Sequence, residues 1–151
     1  MVILIAIALA AISACSNAPK FSDVTGKEWQ LVEVKTEPQN IKFDRDELTT
    51  DGFGTIFTLN FDAQRLSGVG APNKYTAPYT VGKDQVITVQ MAAGTMMAPI
   101  NEPEKLKEQD YFTYIKNAYK WNGTKEQLEL FSKNTDGAEA VLIYKLGSVK
   151  K

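Results

Sequence analysis

The feature that most constrains the fold is a series of short segments in which apolar and polar residues alternate, separated by turn-forming residues. The pattern occurs at residues 29–34, 41–43, 55–61, 65–68, 75–81, 86–91, 119–121, 128–132 and 141–146. Alternation with period two is typical of strands that bury one face. The connections within each group of segments are shorter than the dozen or more residues that a parallel crossover requires. The pattern therefore predicts an antiparallel sheet and excludes a doubly wound parallel one.

One longer segment has helical spacing instead. Asn101 is a suitable cap, and Pro103 is tolerated in a first turn, so we predict a helix from Asn101 to near Ala118. Its apolar face is expected to contain Leu106, Phe112, Ile115 and Tyr119. The polar residues expected on its solvent side are Lys105, Lys107, Glu108 and Lys116. The sequence thus predicts an α+β fold, with a strongly bent antiparallel sheet or partly closed β-barrel and one packed α-helix.

The largest apolar residues of these segments define the predicted core. We expect burial of Trp29, Leu31, Phe57, Leu59, Phe112, Ile115, Leu130 and Ile143. Turns are expected at Asn122-Gly123 and Asp136-Gly137. Gly68 and Gly70 are expected where the backbone needs an unusual φ or passes close to another segment.

Composition narrows the chemistry. The chain of 151 residues contains no His and one Cys, and its formal net charge is −1. A Ser-His-Asp triad, a Cys-His pair, a His-ligated metal and an intramolecular disulfide are therefore excluded. The balanced charge is unlike that of nucleic-acid-binding proteins, which carry basic patches. The length corresponds to a single domain.

The N-terminus carries a separate signal. Residues Val2–Ile12 are apolar without a break and are followed by Ser13-Ala14-Cys15, while the first charged side chain is Lys20. This stretch is too short to span a bilayer and has the length of a signal-peptide core. Its end resembles a bacterial lipobox, which implies cleavage before Cys15 and a diacylglycerol on the Cys15 sulfur. The alternative is a buried N-terminal strand or helix with an inert cysteine.

The lipobox resemblance sets the expected boundaries and location. We expect a signal peptide at 1–14, a lipidated tether at 15–23 and a folded domain at 24–148. Such a protein faces the periplasm or the cell surface, anchored to the outer or inner membrane of a bacterial envelope. The amino group of Met1 supplies the only positive charge before the apolar run, which leaves open a start upstream of Met1.

Several segments, in order along the chain, are similar to one family. The segments are residues 26–31, 57–62, 65–68, 70–75 with 78–79, 94–98, 108–112 and 128–130. Over residues 24–146 they resemble a META domain of the HslJ type. The resemblance implies a small bacterial envelope protein, often a lipoprotein, linked to heat or antibiotic stress and not known as an enzyme. Pro72 and Pro99 stand where the family often has Cys, which implies that their two loops lie close together and that this chain lacks any redox role there.

The two most family-like loops are the candidate site. A binding surface is expected where Gly68–Tyr79 meets Gly94–Ile100, with Asn73, Tyr75, Tyr79 and Thr95 as its possible contacts. The competing interpretation is that Asn73 and Thr95 brace the loops and that the tyrosines belong to the core. Met96 and Met97 are adaptable contact residues or buried packing residues, and burial is favoured.

An acidic cluster provides the only candidate metal site. Asp44, Asp46, Glu47 and Asp51 lie close together in sequence, but their spacing does not match a calcium-binding EF-hand loop. A solvated loop is therefore favoured, and we expect no metal, no other cofactor and no catalytic residues.

Two function classes remain. The first is a non-catalytic envelope lipoprotein in envelope stress or antibiotic tolerance, whose partner is the membrane through its lipid anchor. The second is an inhibitor or ligand-binding module that recognises an envelope protein or glycan. Neither involves nucleic acid, and the sequence leaves the oligomeric state undetermined. An enzyme is the minority interpretation.

Overall fold

The protein is described by a computed structural model, which covers residues 18–90, 93–97 and 102–147. Its strands are β1 (Trp29–Thr36), β2 (Ile41–Lys42), β3 (Thr58–Phe61), β4 (Arg65–Val69), β5 (Lys74–Val81), β6 (Ile87–Val89), β7 (Ala93–Gly94), β8 (Lys120–Gly123), β9 (Gln127–Lys133) and β10 (Glu139–Leu146). The helices are α1 (Arg45–Thr50) and α2 (Glu108–Lys116). Short 3₁₀ turns cover Phe21–Asp23 and Lys83–Gln85. Cys15, Pro99, Asn101 and the expected signal peptide lie outside the described residues.

The strands form one antiparallel sheet that curls into a nearly closed barrel. Its order is β6-β5-β4-β3-β1-β10-β9-β8, with β2 paired to β1 and β7 paired to β5. The first and last strands of this order meet, because the Ile87 N–H donates to the Tyr119 carbonyl at 3.1 Å and Val86 bridges Lys120. The predicted α+β fold with a partly closed barrel and one packed helix is confirmed.

Strand β1 shows how the alternation is interrupted and restored. Val32 breaks the period-two pattern of the segment, and the pairing of β1 with β10 shifts register between Leu31 and Glu33. A bulge inserts one extra residue into a strand, so the following residues return to their original face. Trp29, Leu31 and Val34 are therefore all buried.

The helix α2 is shorter than predicted and uses a different face. It begins at Glu108, so Pro103 precedes it rather than lying in its first turn. Its buried residues are Glu108, Tyr111, Tyr114 and Ile115, whereas Phe112 is half-buried and Tyr119 lies outside the helix and is exposed. The other seven predicted core residues are buried. The predictions were wrong at Phe112 and Glu108, because tertiary packing selected the neighbouring stripe of the helix, and at Tyr119, because the helix ends at Lys116.

Two smaller predictions also need correction. Asn122 and Gly123 belong to β8, and the turn follows at residues 124–126. The acidic segment forms α1 rather than a loop, because the Asp44 carboxylate caps it by accepting from the N–H groups of Asp46 and Glu47 at 2.9 and 3.2 Å. Within the described ranges 18–90, 93–97 and 102–147, no cluster of metal-ligating side chains is present.

The barrel has two ends with different contents. At the Phe21 end lie the turns at residues 62–64, 82–86 and 124–126, and the 3₁₀ turn Phe21–Asp23 packs there. At the α2 end lie the loops at residues 37–40, 70–73 and 134–138. The helix α2 covers this second end, since Glu108 bonds to the 70–73 loop and Asn117 donates to the Lys133 carbonyl at the end of β9.

Candidate functional site

The two family-like loops meet at the α2 end through the side chain of Asn73. Its Oδ1 accepts from the Thr95 hydroxyl at 2.8 Å and from the Met97 N–H at 2.7 Å, and its Nδ2 donates to the Met97 carbonyl at 2.9 Å. Thr95 in turn accepts from the Lys74 N–H at 3.1 Å. The expected contact between the loops is therefore present over the described residues, and Asn73 mediates it.

A buried carboxylate holds the first of these loops. Glu108 Oε1 accepts from the backbone N–H groups of Ala71 and Asn73 at 2.6 Å each, and Oε2 accepts from Asn73 Nδ2 at 2.7 Å. Glu108 and Asn73 are only 7% and 5% exposed. Buried polar groups that satisfy one another in this way rigidify a structure. The arrangement favours the bracing interpretation of Asn73 over its role as a surface contact.

The glycines next to this network lie where neighbouring atoms leave no room for a side chain. A Cβ atom on Gly70 would lie 2.7 Å from both Glu108 Oε1 and the Phe112 ring, and one on Gly68 would lie 2.0 Å from the Thr58 carbonyl oxygen. Neither glycine has a positive φ. The close-approach alternative is therefore the correct explanation of both positions.

Tyr75 belongs to a buried cluster of three tyrosines. Its hydroxyl donates to the Thr58 carbonyl at 2.7 Å, and the hydroxyl of Tyr111 donates to the same oxygen at 3.1 Å. The Tyr144 hydroxyl donates to that of Tyr111 at 3.3 Å. Burial raises the pKa of Tyr111 to about 12 and raises the pKa of Tyr75 and Tyr144 well above that of a free phenol. All three side chains therefore stay protonated and are part of the buried core.

The tyrosines do not form the single surface that the sequence suggested. Tyr75 is 3% exposed. Tyr79 is half-buried at the Phe21 end, where its hydroxyl donates to the Asp62 carbonyl and its ring packs against Phe21 and Phe61. Of the four candidate contacts, only Thr95 is exposed at the junction of the loops. Tyr75 and Tyr79 do not share one surface, because residues four apart on a strand lie about 13 Å apart.

A groove of about 450 Å³ lies beside the junction, between β7 and α2. Tyr75 and Phe112 form part of its wall, together with Gln109, Thr113 and Lys116 of α2. The described lining contains one cationic side chain and no carboxylate, so it does not provide the paired acids that general acid–base hydrolysis uses. The lining combines neutral polar groups, two aromatic rings and the Lys116 ammonium.

Met96 and Met97 extend from the same loop into solvent. They are 99% and 55% exposed, so the expectation of burial was wrong. The backbone of Met97 is held by Asn73, while both thioether side chains remain outside the core. Flexible, polarizable methionines adapt to differently shaped partners.

Among the residues that the structure describes, no helix has both the length and the apolar character needed to cross a bilayer.

Comparisons with known proteins identify one family and solved structures with a similar fold. The family model described as the META domain matches residues 22–143. An NMR structure of a protein from Burkholderia xenovorans is similar at 16% identity and a TM-score of 0.61, covering 95% of this chain and 99% of that one. A crystal structure of a DUF4847 family protein from Bacteroides vulgatus is similar at 13% identity and a TM-score of 0.52, covering 81% and 93% of the two chains. No curated protein matches the sequence. At these identities the two structures show the shared fold alone.

Proposed function

The chain belongs to the META domain family, and from this premise we propose that it is a non-catalytic bacterial envelope lipoprotein. Its domain is anchored to the outer or inner membrane by lipid on Cys15 and acts in envelope stress or antibiotic tolerance. It uses no cofactor in this role. A second candidate, an inhibitor or ligand-binding module for an envelope protein or glycan, is treated separately below.

The lipid anchor is supported by the N-terminal sequence. Cys15 is the only cysteine in the chain, and it directly follows an apolar run and two small residues, Ser13 and Ala14. A thioether to diacylglycerol requires a thiol, so no other residue of the chain can take its place. Two acyl chains anchor a protein stably, whereas one chain gives only marginal binding.

The non-catalytic character is supported by the observation that Glu108 is fully engaged in structure. It is the one buried carboxylate among the residues that the structure describes, and both of its oxygens accept hydrogen bonds from the 70–73 loop. A carboxylate used as a general acid or base must reach a proton on a substrate. Glu108 instead reaches only the loop that it braces, so the most family-like region has the character of a scaffold.

Incorporation of labelled palmitate into the full-length protein in growing cells tests the anchor. The wild type is expected to take up label and to fractionate with membranes, and Cys15→Ser is expected to do neither. Ser16→Ala is the matched control, because it changes the next residue and leaves the thiol in place, and it should label like the wild type. Equal labelling of wild type and Cys15→Ser would exclude the anchor.

The binding module is favoured by the groove beside α2 and by the exposed Met96 and Met97. A pulldown with the lipid-anchored protein as bait separates the two functions. A stoichiometric envelope protein or glycan, lost when Phe112 and Lys116 of the groove are changed to Ala and Glu, supports the module. Recovery of the bait alone, with the stress phenotype intact, supports the first function.

A further inference from the structure

We propose that the domain is held on the membrane in one orientation, with the Phe21 end toward the lipid surface and the α2 end facing away. The inference rests on the proposed lipidation of Cys15. In this orientation the loops at the Phe21 end meet the lipid headgroups, and the surface at the α2 end remains open to a partner.

The first step is that the chain is fixed to the barrel from Phe21 onward. The Phe21 ring packs against Phe61 and Trp121 with centroid distances of 5.2 and 4.9 Å. The Gly26 N–H donates to the Phe61 carbonyl at 2.9 Å, and the Trp29 indole N–H donates to the Val24 carbonyl at 2.8 Å. The segment that follows the tether is therefore part of the folded domain, and the lipid is attached to the chain before Phe21.

The second step is the reach of the tether. Phe21 lies six residues after Cys15. A fully extended chain spans at most about 3.3–3.6 Å per residue, so these six residues reach about 20–22 Å at most. Whatever its conformation, the tether keeps Phe21 within that distance of the lipid-bearing sulfur.

The domain is taller than the reach of the tether. β1 and β10 have eight residues each, which corresponds to a length of about 26 Å per strand. A strand tilt of about 40° reduces that length to a height of about 20 Å. The helix α2 adds a layer about 10 Å thick at the far end. An inverted domain, about 30 Å tall, does not fit under a tether of about 20–22 Å without pushing α2 into the bilayer.

The orientation assigns a role to each end of the barrel. The turns at residues 62–64, 82–86 and 124–126 face the lipid headgroups. The groove beside α2 and the exposed Met96 and Met97 lie at the other end, where envelope components outside the bilayer can reach them. A partner that docks in the groove therefore approaches from the side opposite to the anchor.

Single cysteines placed at the two ends test the orientation. Cys15 is the only native cysteine and its sulfur is blocked by lipid, so an introduced cysteine is the only reactive thiol in the lipidated protein. Ala63→Cys reports on the Phe21 end and Thr135→Cys reports on the α2 end, and both positions are exposed. Lys83→Cys and Gln39→Cys, also exposed, provide a second pair in different loops. Each variant is extracted from membranes, labelled with a fluorophore and reconstituted into vesicles whose lipid headgroups carry a nitroxide quencher.

Quenching at positions 63 and 83 is expected to be several-fold stronger than at positions 135 and 39. Inserting about twenty Gly and Ser residues between Ser16 and Lys20 is expected to remove most of this difference, because a long flexible tether no longer restricts the domain. Equal or reversed quenching with the native tether would overturn the orientation.

Palmitate incorporation in the same preparations separates the two proposals. Label that is present together with equal quenching overturns the orientation alone. Label that is absent overturns the lipid anchor, and the orientation falls with it.

Discussion

Removing the Glu108 carboxylate is the sharpest test of how the two loops are held. Glu108→Ala removes the acceptor of three hydrogen bonds, which are donated by the N–H groups of Ala71 and Asn73 and by the Asn73 amide. Water cannot replace the carboxylate at the two backbone donors, because Ala71 and Asn73 are both buried. Leaving a buried donor unsatisfied costs about 1–3 kcal/mol, and the three lost bonds together, offset in part because the carboxylate is no longer desolvated, come to about 3–5 kcal/mol. We expect the free energy of unfolding to fall by that amount, which is a large part of the total for a small domain.

The assay is urea-induced unfolding of residues 21–151, followed by the fluorescence of the buried Trp29 and Trp121. Gln109→Ala is the matched control, because Gln109 is the next residue of α2 and is exposed. Its cost should stay within about 0.5 kcal/mol. A cost below about 1 kcal/mol for Glu108→Ala would refute the bracing role of the carboxylate.

A double-mutant cycle shows whether Glu108 acts through Asn73. Asn73→Ala removes the amide that links Glu108 to Thr95 and Met97. If Glu108 and Asn73 belong to one network, the double variant lowers the free energy of unfolding by less than the sum of the single variants, with a coupling of about 1–2 kcal/mol. Additive effects within experimental error would show that the contacts act independently.

Three further predictions follow from the packing and the ionisation of the core. Gly68→Ala should cost about 1–3 kcal/mol or more because its Cβ would overlap the Thr58 carbonyl, whereas Gly82→Ala, with nothing closer than 3.7 Å, should be nearly neutral in the same unfolding assay. Phe112→Ala should cost about 1–3 kcal/mol, less than a fully buried Phe, since its ring is only half-buried. A larger loss would mean that Phe112 is a core residue after all. The pKa values of Tyr111, Tyr75 and Tyr144 are raised in the folded state, because it favours the neutral phenols. Their contribution to stability is fully present below the unfolded phenol pKa of about 10. That stability is lost as the pH rises from there through the higher folded pKa values. In a spectrophotometric titration these tyrosines should therefore ionise only as the protein unfolds. Their ionisation while the protein is still folded would contradict their burial.

The strands could be predicted because their determinants are local. The alternation that marks β1, β5, β9 and β10 in the sequence is the same alternation that the barrel buries, and even the Val32 interruption corresponds to the register shift in β1. The helix was harder, because α2 carries two adjacent apolar stripes. Tyr111 and Tyr114 lie on one of them and Phe112 on the other, and the amphipathic character of tyrosine conceals which stripe faces the barrel.

The bracing network could not be predicted from the sequence. Glu108 lies 35 residues from Asn73, and the sequence predicted it on the solvent side of a helix that begins at Asn101. Only the tertiary fold brings it against the 70–73 loop. The family resemblance did imply that this loop and the loop expected at residues 94–100 are close together, but not that a carboxylate from the helix holds the first of them.

Mass spectrometry of the protein extracted from membranes tests the central claim most directly, because it reads the N-terminal residue and its modification together. A lipid-anchored META domain predicts an N-terminal peptide that begins at Cys15 and carries a diacylglyceryl thioether on its sulfur. A chain that retains the residues before Cys15 and has a free thiol there would contradict the account.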